Sequence, residues 1–259
     1  MLHLKALHYL KVCGKEFLSS NQLGKLEAMR IVVKIKDIWQ MQGIAVKIFM
    51  WLSLALALMF IFVPALDLQA SNLFYNHING FFLKTHYIVL ILFNSIYYIT
   101  PALIVFFISA LYMNNIIKKQ ILDLTNRKVL YLVAALAIGP GLVVNYGLKD
   151  HVGRARPFQI KEFGGTKTFT PAFIVTDHCN KNCSFTSGHA SVGFYFSAFA
   201  FLSNPASTIL LTISILFGLL IGLARIVQGT HFLSDVLFSG IFVVTINYCL
   251  SWIILGRRC

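Results

Sequence analysis

Apolar residues along this chain gather into long runs separated by short polar connections. Six of the runs approach the length of a bilayer, covering about residues 44–66, 87–113, 129–148, 187–202, 207–224 and 232–255. A hydrocarbon core of roughly 30 Å takes about 20 helical residues, and backbone polar groups inside it must be paired within the segment. The pattern therefore predicts an all-α integral membrane protein with six transmembrane helices. Pro101 in the second run is tolerable in a membrane helix, whereas Gly139-Pro140-Gly141 in the third predicts a kink or break ahead of Lys149. The fourth run is rich in small residues, among them Gly188, Ala190, Ser191, Gly193, Ser197, Ala198 and Ala200, which suits close helix packing.

The connections carry the rest of the pattern. Residues 1–43 set Lys5, Lys11, Lys15, Lys25, Arg30, Lys34 and Lys36 among apolar residues at roughly helical spacing. That leader is charged too often for a signal-peptide core, and reads as a basic amphipathic helix on the cytoplasmic leaflet or as a disordered segment. The domain expected is a single one, 44–259, behind the leader at 1–43. Residues 67–86, polar with paired Phe81-Phe82, read as an interfacial segment with aromatic anchors. Residues 149–186 form the longest polar connection, and a loop of that length in a compact protein is usually functional. Ser203-Asn204-Pro205 reads as a tight turn.

Composition changes the picture in one respect. With 58% hydrophobic and 12% charged residues, the formal net charge of +13 sits in short segments beside apolar runs. That is a signature of membrane orientation rather than of nucleic-acid binding, for which no basic stripe interleaved with aromatics is present. The leader, Lys118, Lys119, Arg127, Lys128 and the Arg257-Arg258 tail hold most of the basic residues outside the motifs, so both termini are expected in the cytoplasm and 149–186 outside.

Three polar stretches at the outer ends of these runs carry candidate chemistry. In Ala224-Arg225-Ile226-Val227-Gln228-Gly229-Thr230-His231-Phe232-Leu233-Ser234-Asp235, His231 and Asp235 are four residues apart. On a helix they share a face, so the carboxylate can accept the imidazole Nδ1–H and leave Nε2 as a nucleophile or base. Arg225 supplies a fixed charge for an anion, although a core histidine beside a buried acid has the same spacing. Lys149-Asp150-His151-Val152-Gly153-Arg154-Ala155-Arg156-Pro157 places three cations in one loop, and Ser187-Gly188-His189 opens the fourth run.

The ordered set of Lys149, six residues, Arg156-Pro157, then Ser187-Gly188-His189, then Arg225, five residues, His231, three residues, Asp235 resembles the type 2 phosphatidic acid phosphatase superfamily. The resemblance implies that His231 attacks phosphorus to form a phosphohistidine, Asp235 orients it, and His189 protonates the leaving alkoxide and later activates water. Lys149, Arg156, Ser187, Gly188 and Arg225 would hold the phosphate oxygens. Thr186 and Ala224 depart from the family pattern, which has proline and serine there, without removing a charge or a proton carrier. Arg154 and Asp150 stay open between headgroup binding and solvated loop charges paired with each other.

Ile138 to His151 and Cys179-Asn180-Lys181-Asn182-Cys183-Ser184-Phe185 are further similar to the bacterial lipid A 4'-phosphatases. That likeness implies a lipid substrate and a multi-pass inner-membrane protein with its site facing the periplasm. Related enzymes acting on the lipid A 1-phosphate, undecaprenyl pyrophosphate or phosphatidylglycerophosphate share the scaffold. A non-enzymatic lipid-phosphate binding or transport protein would need the cations but not the full His189, His231 and Asp235 set. No cofactor and no metal are expected: the C-x3-C of Cys179 and Cys183 beside His178 is a weak zinc signal, and on an oxidising outer face a small disulfide loop suits it better.

Overall fold

The computed structural model describes residues 43–203 and 206–256. The leader at 1–42, part of the turn at 203–205 and the Arg257-Arg258 tail lie outside them. Among the described residues, five helices are long and apolar enough to cross a membrane: α1 (Gly43–Phe62), α3 (Tyr87–Ile117), α4 (Asn126–Leu148), α7 (Thr208–Val227) and α8 (Leu233–Leu255). Between α1 and α3, helix α2 (Ala65–Asn72) and a two-residue hairpin, β1 (Tyr75–Asn76) paired with β2 (Gly80–Phe81), fold back over the end of the bundle. Phe81 is no membrane anchor. It is buried with Ile160, Phe163 and Phe232, and its ring meets those of Tyr75 and Phe163.

The fourth expected span is not among these five long helices. It is broken at Phe196 into α5 (Gly188–Tyr195) and α6 (Ser197–Ala200). Thirteen residues at 1.5 Å each reach about 20 Å, short of a hydrocarbon core. Nearly every side chain of the pair is buried in protein, and irregular backbone at membrane depth is tolerated under that condition. The small residues have the expected use: a Cβ on Gly193 would come within 2.8 Å of the Gly218 Cα in α7.

The Gly139-Pro140-Gly141 stretch does not break its helix either. From Ala137 to Leu148 the turns widen into a π-helix. The wider turn accommodates a proline without an N–H, and Asn145 donates its amide to the Pro140 carbonyl at 2.7 Å. The helix thereby runs on to deliver Lys149 at the end opposite Arg127. A buried polar cluster fixes the middle of the bundle: Asn247 of α8 donates to the Tyr195 carbonyl at 3.2 Å and to Ser197 at 2.9 Å, and the Tyr195 hydroxyl donates to the Leu132 carbonyl at 3.1 Å. Such bonds substitute between membrane helices for the hydrophobic drive that lipid removes.

Residues 149–186 fold inward rather than trailing in solvent. Val152, Ala172 and Phe185 pack with Phe60 and Phe238, while Ala155, Ile160 and Phe163 pack with Phe81 and Phe232.

Candidate active site

The site forms where α4, α7 and α3 meet the starts of α5 and α8. Helix α7 ends at Val227, and the chain reverses through Gly229. Gly229 has φ 67°, a conformation glycine adopts without steric cost, and a Cβ there would run into the Phe81 ring. The reversal carries His231 into the protein, fully buried.

Its hydrogen bonding differs from the expected one. His231 Nδ1 lies 2.8 Å from the Ser184 carbonyl and 3.6 Å from Asp235 Oδ2. A carbonyl only accepts, so Nδ1 carries the proton and Nε2 keeps its lone pair. The tautomer is the one inferred from the spacing, but Ser184 sets it. Asp235, in the first turn of α8, instead accepts the Phe232 N–H at 2.8 Å, the Ser184 hydroxyl at 2.5 Å and Arg154 at 2.7 Å. Burial pushes the His231 imidazole down to about 4, against the pull of Asp235, so the ring is neutral at pH 7.

Arg154 is neither a headgroup ligand nor a solvated loop charge. It is wholly buried and bridges two carboxylates, Asp67 at 2.8 Å and Asp235 at 2.7 Å. Its remaining donors reach Ser234 Oγ and the Thr170 carbonyl, each at 2.9 Å, and its guanidinium lies 4.2 Å from the Phe232 ring centroid. Asp67 also accepts the Ser234 N–H at 2.8 Å and hydroxyl at 2.6 Å.

The phosphate-ligand candidates assemble around this core. Lys149 and Arg225 are buried and Arg156 is half-buried. Both arginines act on Lys149, all three cations act on His189, and Lys149 and Arg225 act on His231, which places the three motifs in one electrostatic cluster. Burial, with Arg156 and Arg225 nearby, pushes the Lys149 ammonium down to about 8. Ser187 caps α5, accepting the Ala190 N–H at 3.4 Å, and the Ser187 N–H donates to the Asp235 carbonyl at 3.1 Å. Gly188 follows at the first helical position. His189 stacks on Phe93 of α3, centroids 4.8 Å apart, with the edge of Tyr97 at 5.4 Å; Arg225 lies 4.5 Å from the Phe93 centroid. One ring therefore holds a histidine and a cation of two different motifs. The Nε2 atoms of both His189 and His231 are buried without a hydrogen-bond partner.

Sequence reasoning missed Asp67, Ser184 and Phe93. An acid at the end of an apolar run was a usable signal for Asp67. Phe93 had none, since one aromatic in an apolar run looks like any other. A separate apolar cavity of about 540 Å³, lined by Phe196, Phe199, Leu210, Ile213, Ser214 and Phe217, contains none of these residues and offers no cation for an anion.

A polytopic helical bundle whose one end gathers three cations, two histidines and a buried acid from three separate motifs defines a class. The profile of the PAP2 superfamily matches residues 128–257, and the chain belongs to that superfamily. Among curated proteins, the Lipid A 4'-phosphatase of Francisella tularensis subsp. novicida (strain U112) is 35% identical over 223 residues, 82% of this chain and 92% of that protein. Proteins of the same name from Rhizobium etli and Rhizobium leguminosarum are 40% and 36% identical over 111 and 114 residues, less than half of either chain in each pair. No solved structure matches.

Proposed function

We propose that this chain is a phosphoric monoester hydrolase of the bacterial inner membrane that removes the 4'-phosphate of lipid A at the periplasmic face. The observation that carries the reaction is the pair of partnerless, buried Nε2 atoms on His231 and His189 within the field of Lys149, Arg156 and Arg225. A protein that only bound phosphate would have no use for two imidazole nitrogens held without partners.

His231 Nε2 attacks phosphorus, a P–N bond forms and the bond to the sugar oxygen breaks. His189, protonated in the field of the arriving dianion, gives its proton to the leaving alkoxide. It then takes a proton from water, whose oxygen bonds phosphorus as the P–N bond breaks, releasing inorganic phosphate and restoring His231. Lys149, Arg156, Arg225, the Ser187 hydroxyl and the Gly188 N–H stabilise the charge on the equatorial oxygens. Asp235 favours the cationic phosphohistidine. No role in this scheme requires a metal ion.

The headgroup rests on the relatives' names and on the extent of the Francisella match. The periplasmic placement rests on charge: Lys118, Lys119, Arg127 and Lys128 lie at the end of the bundle opposite the motifs. Expression in a Gram-negative host, with tandem mass spectrometry of the extracted lipid A, tests the reading. The expected product lacks the 4'-phosphate, binds cationic peptides less well, and disappears with His231→Ala or His189→Ala in protein that still inserts. Intact lipid A from membranes that hydrolyse undecaprenyl pyrophosphate would reassign the substrate, and a fully active His231→Ala would end the phosphohistidine scheme.

A further inference from the structure

Cys179 and Cys183 are joined in a disulfide that closes a five-residue loop. Asn182, just before the second cysteine, has φ 54°, in the left-handed region that asparagine enters more readily than most residues. Its Oδ1 accepts from Lys149 Nζ at 2.5 Å, its carbonyl accepts from Arg156 at 2.7 Å, and its N–H donates to Asp150 Oδ1 at 3.0 Å. The Cys183 N–H adds a bond to the Lys149 carbonyl at 3.2 Å. Two cations from opposite ends of one motif are thus anchored to a single exposed residue on a covalently closed loop.

Like charges on long side chains separate and spread over many rotamers, and each loses rotamer entropy when fixed. A loop that holds them in place beforehand removes that ordering from the binding step. An ammonium has three N–H donors and a guanidinium five, so each can keep Asn182 and still reach a phosphate oxygen.

We propose that Asn182 is a positioning residue for the phosphate clamp, and that the Cys179–Cys183 bond makes the order of the clamp, and hence substrate affinity, depend on its oxidation state. The inference rests on the phosphatase reading, since it takes Lys149 and Arg156 as phosphate ligands. A dithiol reductant supplies the two electrons and two protons that turn the bond into two thiols, itself closing to a cyclic disulfide.

The test uses the full chain in detergent micelles, reading KM and kcat with lipid substrate and the Ki of inorganic phosphate. Asn182→Gly keeps the positive φ and the carbonyl that holds Arg156, and removes only the Lys149 acceptor. KM and Ki are expected to rise together about fivefold, as for one lost hydrogen bond of ordinary net strength, with kcat within twofold of wild type. Dithiothreitol on the wild type, or Cys179→Ser with Cys183→Ser, frees both cations and raises KM and Ki about tenfold; dithiothreitol adds nothing to the double variant. The proposal is overturned by a KM unmoved in Asn182→Gly and after reduction, by a KM that falls, or by a kcat that drops with KM unchanged. The phosphatase reading fails separately, if the wild type turns over no lipid phosphate. In that event phosphorus NMR line broadening of inorganic phosphate still compares wild type with Asn182→Gly.

Discussion

The sharpest consequence of the buried Asp67–Arg154–Asp235 triad is an ordering of variants. Arg154→Ala removes a guanidinium that makes four hydrogen bonds, two of them to carboxylates at 2.8 and 2.7 Å. Asp67 and Asp235 are left without their shared cation, both fully buried. Stranding a buried charge by deleting its partner costs about 3–5 kcal/mol, or about 6–20 °C in Tm at 2–4 °C per kcal/mol for a chain of this size. Asp67→Asn acts differently. Burial and the charge of Asp235 together outweigh Arg154, so the Asp67 carboxyl titrates above its ordinary range. Its ionised form is the strained one, and an amide of the same shape leaves a balanced Arg154–Asp235 pair. By sign, a raised carboxyl favours folding most below the unfolded pKa and loses that advantage as pH rises through the folded value. Asp67→Asn should therefore cost less than Arg154→Ala at pH 7 and lose the corresponding acid-side gain. Tm in one detergent across pH 4 to 8 measures both. An Arg154→Ala protein melting within 2 °C of wild type, or an Asp67→Asn protein less stable than Arg154→Ala, would refute the reasoning.

Lys149 gives a second titration: its ammonium, at about 8 in the free protein, is charged below that value and neutral above. kcat/KM should fall as pH rises through about 8, with kcat affected less because bound phosphate restores the proton. His231 behaves oppositely in stability. With a folded value of about 4 against an ordinary 6.5, the unfolded state binds the extra proton between the two, so stability falls as pH drops through that window, by about 3 kcal/mol in all at 1.36 per unit. His231→Ala should flatten that limb in a melting series. Gly188→Ala would put a Cβ 2.5 Å from Asn145 Oδ1; a loss of about 1–3 kcal/mol is expected, recovered in part by adding Asn145→Ala, as differential scanning fluorimetry can show.

The runs of apolar residues foretold the long helices to within a few positions because burial in lipid imposes length and composition together. They did not foretell the break at Phe196, since a segment enclosed by protein and one facing lipid are equally apolar. The motif residues were legible for the same reason that they are costly: Lys149, Arg225 and His231 are polar groups at the ends of apolar helices. What supports them was illegible in two ways. Ser184 acts through its main-chain carbonyl, which any residue possesses. Arg154 stood among other loop cations, and only a partner 87 positions away in sequence separates it from them.

That distance bears on where the functional unit begins. The family match starts at residue 128 and holds every motif, yet the triad closes only with Asp67 of α2, and His189 and Arg225 share a ring only through Phe93 of α3. Cut at 128, the site would keep His231, its cations and Asp235, but Arg154 would bridge one carboxylate instead of two. Arg225 and His189 would be tethered from one side each, free to approach or repel. Electrostatic stabilisation depends on charges that do not reorganise as the reaction proceeds, so under the proposed mechanism the segment before 128 positions the catalytic groups even though it contributes no group proposed to touch phosphate.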